Sequence, residues 1–74
     1  MTVAQLKKGE RAVITDISLD EIPLKLIEMG CLIGCVVELV QIAPLSDPLY
    51  LDIDGAQLAI RKETAKHIIV EKQD

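Results

Sequence analysis

From Leu49 to Arg61, "LYLDIDGAQLAIR", apolar and polar positions alternate one for one around a central Asp-Gly pair. Alternation of this kind predicts strands with one buried face. A two-residue loop at Asp54-Gly55, of the primed type such pairs favour, sets Ile53 opposite Ala56, Leu51 opposite Leu58 and Leu49 opposite Ile60. Tyr50, Asp52, Gln57 and Arg61 then share the other face, so pattern and turn chemistry select one register. After a turn at Gly9, residues 10–17 ("ERAVITDI") are rich in β-branched side chains and predict a first strand. "CVVELVQIA" predicts a second, which follows Gly34 and stops at Pro44. "LSDP" is a turn cluster, "KETAK" a helical turn, and "HIIVEK" a closing strand with Ile68 and Val70 on one side.

Between the first two strands the period changes. In "SLDEIPLKLIEMG", Ile22, Leu26 and Met29 recur at spacings of four and three with Ile27 close by, which predicts a helix over 21–29. Asp20 as N-cap places Pro23 in the first turn, where its missing N–H is harmless. Gly30 supplies the left-handed residue that ends the helix. Five short strands and one short helix have too little helix to cover an open sheet. The expected fold is mainly β: a single domain, residues 1–74, with a five-stranded small barrel and one short helix inserted between strands 1 and 2.

Composition narrows the function. Half of the 74 residues are apolar, Trp and Phe are absent, and Tyr50 is the only aromatic. A domain of this size must find its stability in dense aliphatic burial, a metal, disulfides or a partner. Twelve acids against eight bases leave a net charge of −4, the wrong sign for binding phosphate backbones, and aromatic platforms for bases are missing. No nucleic-acid partner is expected. No apolar run approaches the ~20 residues of a membrane span, and "MTVAQLKKG" lacks a signal peptide's apolar stretch. The expected location is the cytoplasm, where thiols stay reduced.

The candidate metal ligands are Cys31, Cys35 and His67. A structural zinc site needs four ligands and a catalytic one at least three, so carboxylates would have to complete the set; as small buried hydrophobes the two cysteines need no ligand. His67, where the last strand begins, reads more readily as an exposed or edge residue than as a ligand. Asp52 and Asp54 lie at an exposed hairpin tip, which provides no enclosed pocket to split two carboxylate pKa values. Neither a Gly-rich phosphate loop nor a Ser/His/Asp set occurs, so no enzyme and no cofactor are expected. Leu24, Met29, Leu32, Ile33, Leu45 and Tyr50 exceed what the inward positions of a small barrel need. Either the helix packs over one mouth of the barrel and buries most of them, or they form a docking patch for a partner or for self-association.

The order of "LKKGERAVITDI", "KLIEMG", "VVELVQIAPLSDPLYLDIDG" and "LAIRKETAKHIIV" resembles the ferrous iron transport protein A family (FeoA) over residues 5–71. The resemblance implies an SH3-like barrel with a helical insertion. It also implies an accessory or regulator of ferrous iron uptake that docks on the cytosolic, GTPase-containing region of a membrane permease. Related modules are fused to metal-dependent repressors, so a stand-alone module of that kind is an alternative, as is a small transition-metal-binding carrier. One departure stands out: where the family often has Pro before the second strand, Ile33 and Gly34 follow Leu32.

Overall fold

In the computed structural model, which describes residues 1–73, Asp54 and Gly55 have φ of 51° and 87°. A type I′ turn requires two such left-handed residues in succession. Across it β3 (Leu49–Ile53) and β4 (Ala56–Ile60) pair in the predicted register, Ile53 with Ala56, Leu51 with Leu58 and Leu49 with Ile60. The Asp52 carboxylate accepts the Gly55 N–H at 2.9 Å and pins the turn.

On its other side β3 pairs with β2 (Val36–Ile42), with a bulge at Val40 between the pairs Leu39–Leu51 and Gln41–Tyr50. Next comes β1 (Arg11–Ile17) and then β5 (Ile68–Gln73), so the order is β4-β3-β2-β1-β5 and every pairing is antiparallel. The fold class is the expected one, mainly β with short helices. Among the described residues β4 and β5 do not pair, so the sheet curls around its core without closing.

The row Leu39, Leu51 and Leu58 runs across three strands inside the curl, beside Ile14, Val37, Leu49, Ile53, Ile60, Ile68 and Val70, all at most 7% exposed. Each such side chain contributes about 1.5–3 kcal/mol by leaving water. Val3 and Leu6 join this core from a 3-10 turn over Val3–Gln5, which the Thr2 N–H closes on the Gln5 Oε1 at 2.7 Å. The sequence pattern had assigned this segment no structure. Its place comes from β5: Val70 N–H donates to the Met1 carbonyl at 2.9 Å, and Thr2 bridges to Ile69.

The inserted helix differs from the expectation of 21–29 capped by Asp20. Here α1 is Leu24–Glu28, with Pro23 at its N-cap in an extended conformation (ψ 137°). Glu21 and Ile22 instead close a separate turn on the Ser18 carbonyl. Proline explains the difference, because its ring pushes the preceding residue out of helical φ/ψ. The C-terminus is as expected: Gly30, at φ 106°, follows the helix while its N–H bonds Ile27 O and the Cys31 N–H reaches Leu26 O at 3.0 Å. Those two bonds make a Schellman motif, which only an unstrained left-handed residue completes. The helical turn α2 (Lys62–Ala65) forms where "KETAK" placed it, with Ala65 fully buried.

Candidate docking surface

The segment from Ser18 to Cys35 rests on the sheet through few side chains. Ile22 and Cys31 are buried, and Leu26, Ile27 and Cys35 are partly buried against the core. The backbone does the rest: Gly34 N–H bonds Ile14 O at 2.8 Å and Ile14 N–H bonds Cys35 O at 2.9 Å, extending β1's ladder into the turn before β2. α1 itself buries no residue completely.

The result is a group of large apolar side chains facing outward. Leu24 is 67% exposed, Ile33 62%, Leu32 46% and Met29 38%, and Leu19, which sequence reasoning passed over, is 68% exposed. The expectation that the helix would bury most of the surplus apolar residues is therefore corrected. A five-residue helix has one side to offer, and Leu26 and Ile27 occupy it.

Leu45 and Tyr50 stand apart from this group. Tyr50 lies opposite Gln41 near the far end of β2, whose seven residues span about 20 Å, and Leu45 lies beyond that end. Leu45 is 98% exposed at φ 70°, in a turn that Ser46 N–H closes on Ala43 O after Pro44. Pro followed by a positive φ is the pattern of a type II turn, where glycine is the usual occupant. Tyr50, half exposed, borders a hollow of about 300 Å³ with Val40, Leu51, Gln57, Leu58 and Ala59. Val40 and Ile42 belong to this second group. Val40's parity with Glu38 on β2 was the available signal that it faces outward; past the bulge the alternation shifts, and Ile42 shares the face of Leu49, its partner across the ladder, and is exposed at the strand's end.

The candidate metal ligands do not come together. Cys31 is fully buried and Cys35 half-buried, both as free thiols. Burial, and secondarily the neighbouring Cys35, pushes the Cys31 thiol's pKa up, opposite to what a thiolate ligand needs. His67 lies by the start of the segment, where its carbonyl accepts the Ser18 N–H, with its Nε2 3.9 Å from Glu21 Oε2 in a shallow hollow with Arg61, Glu63 and Thr64. Among the described residues no three His, Cys, Asp or Glu side chains converge to hold a metal ion. Asp52 and Asp54 border an open hollow with Arg11, Cys35 and Glu38, where Arg11 Nε lies 3.8 Å from Glu38 Oε1. Among the described residues no helix is long and apolar enough to cross a membrane.

The family model for the FeoA domain matches residues 1–72. The chain belongs to the FeoA family. A curated relative, the Fe(2+) transport protein A/Fe(2+) transporter FeoB fusion protein of Porphyromonas gingivalis, is 36% identical over 72 residues. The match takes in 96% of this chain and 8% of that protein, so the chain spans a small part of the relative's length. Among solved structures, the FeoA protein of Chlorobium tepidum superposes with a TM-score of 0.91 at 28% identity, over 100% of this chain and 71% of that one. The zinc complex of Stenotrophomonas maltophilia FeoA, described as a prokaryotic SH3 domain protein, gives 0.81 at 28% identity, over 96% and 89%. The SH3-like fold, here an antiparallel sheet curled around one core without closing, is the architecture this FeoA domain shares with them.

Proposed function

We propose that this FeoA chain is an accessory of ferrous iron uptake that docks on the cytosolic, GTPase-containing region of a ferrous iron permease through α1 and the turn that follows it. The observation that carries the reading is the outward apolar group Leu24, Met29, Leu32 and Ile33, on a helix that buries none of its own residues completely. Large apolar side chains left exposed together on one short segment are the feature expected of a binding site. The choice of partner is supported by the Porphyromonas gingivalis protein, in which a homologous segment is fused to an FeoB transporter.

The site works by contact. Ile22 and Cys31 anchor the segment at its two ends, and the Schellman bonds fix the angle at which the chain leaves α1, so the exposed side chains are held in place before any partner arrives. Leu45 and Tyr50, at the other end of β2, form a second point of contact.

The test is capture of the permease from detergent-solubilised membranes by the tagged protein, with and without a GTP analogue. Capture by the wild type and its loss in a Leu24→Asp/Ile33→Asp double variant is the expected result. Equal capture by both removes the α1 surface from the reading, and no capture in any nucleotide state removes the permease as partner.

A further inference from the structure

The apolar group on the segment Ser18 to Cys35 is set among acids. The segment carries Asp20, Glu21 and Glu28 against a single base, Lys25, and all four are exposed. Glu28 follows Leu24 by four residues, which on a helix places the two side by side. Glu21 faces His67 at 3.9 Å, but among the described residues no cation pairs with Asp20 or Glu28.

At its other end the segment runs into an acidic hollow. Gly34, the residue after Ile33, borders a space of about 460 Å³ together with Arg11, Glu38, Asp52 and Asp54. The hairpin tip reaches this place because the end of α1 packs against it: a Cβ added at Gly30 would lie 4.0 Å from Ile53 Cγ2. Arg11 is taken by Glu38 at 3.8 Å, and Asp52 holds the Gly55 N–H. Asp54 is left with no partner among the described residues. Segment and hollow together hold six acids and two bases, which is the chain's entire net charge of −4; its other six acids and six bases balance.

That charge decides what covers the apolar group. A second copy seated on it would bring the same acids face to face, and like charges across an interface disfavour the pairing. An anionic lipid surface or a phosphate backbone is repelled for the same reason. A protein segment of opposite sign fits. We propose that the part of the permease that docks here is a basic stretch, with apolar side chains that cover Leu24, Leu32 and Ile33 and a Lys or Arg seated in the hollow beside Asp54. The proposal rests on the docking reading above and adds the chemistry of the partner. Apolar contact supplies most of the affinity, whereas the charges fix which way the stretch lies and speed the encounter.

Binding of the full chain to the detergent-solubilised permease, measured from about 0.05 to about 0.5 M salt, tests the partner's charge. Affinity should fall about tenfold or more over that range. Asp20→Asn/Glu28→Gln/Asp54→Asn removes three exposed charges and keeps the hairpin, since Asn-Gly favours the same type I′ turn. This variant should bind about tenfold more weakly at the low-salt end and show a flatter salt dependence. Leu24→Lys should bind several-fold more weakly than Leu24→Asp, because both lose the apolar contact and only the sign of the charge differs. All variants are checked for the wild-type circular dichroism spectrum. Binding that Leu24→Asp/Ile33→Asp abolishes, but that neither salt nor the neutralised variant alters, leaves the docking surface in place and overturns the basic partner. A salt dependence that the neutralised variant retains in full overturns it as well. No binding by the wild type at any salt overturns both readings.

Discussion

The β3–β4 hairpin and the segment from Ser18 to Cys35 have similar proportions of Leu and Ile, and the fold puts them to opposite uses. In the hairpin all five are at most 7% exposed. In the segment only Ile22 is buried, whereas Leu19, Leu24, Leu32 and Ile33 are 46–68% exposed. The difference lies in the backbone. A strand turns every second side chain to the same face, and its neighbours in the sheet extend that face into a core. A five-residue helix after a proline has no such continuation. The hairpin's apolar residues therefore stabilise the fold, and those of the segment remain available to a partner, at about 25 cal/mol for each Å² later covered.

Substitutions that exchange the two roles would break this contrast, and the largest effect belongs to the hairpin. Leu51→Ala, at the centre of the Leu39–Leu51–Leu58 row, should cost about 2–5 kcal/mol in denaturant unfolding; a loss below about 1 kcal/mol would mean the row is not the core. Cys31→Ser tests one of the two places, with Ile22, where the segment behaves like the hairpin. A hydroxyl in that fully buried position should cost about 1–3 kcal/mol, whereas Cys35→Ser should change stability by less than about 0.5 kcal/mol.

The Cys31 thiol also carries a pH dependence. Its pKa is raised in the fold, so the folded chain holds a proton that the unfolded chain gives up near the ordinary value of 9.0. Its contribution is complete below that pH and is lost as the pH rises toward the folded value. Denaturation midpoints at pH 8 and above should show the decline in the wild type, and Cys31→Ala should flatten it. A thiol reagent at neutral pH should label Cys35 first and Cys31 only on unfolding.

Gly30→Ala is smaller again. At φ 106° the nearest atom to an added Cβ would be Ile53 Cγ2 at 4.0 Å, so the cost of about 1–2 kcal/mol is conformational, without a clash. Gly30→Asn should recover part of it, which a steric cause would not allow. The Leu24→Asp/Ile33→Asp variant should also change stability little, within about 0.5 kcal/mol per site, although its capture of the permease should fall furthest. A large stability loss in that variant would place these residues in the core and end the contrast.

Much of this was legible in the chain. The hairpin register followed from a two-residue period and an Asp-Gly turn, and the end of α1 from Gly30. Both depend on interactions within a few residues. The start of α1 was misplaced because Asp20 and Pro23 offer two local solutions, a cap with proline in the first turn or a separate turn before it. Val3 and Leu6 gave no periodic signal, since a 3-10 turn of three residues has no face to repeat. The candidate surface was legible as a surplus of apolar residues, but its division into two groups was not.

What the sequence alone determined, then, is whatever neighbouring residues settle among themselves: the strands, the type I′ turn, the helix stop, and the family-wide order of motifs that marks a FeoA domain. Tertiary structure decided which apolar residues found a partner inside the molecule. Burial depends on contacts between residues far apart in the chain, such as Met1 with Val70 or Ile14 with Cys35. A local pattern states that a side chain is apolar; only the assembled sheet has an inside to put it in.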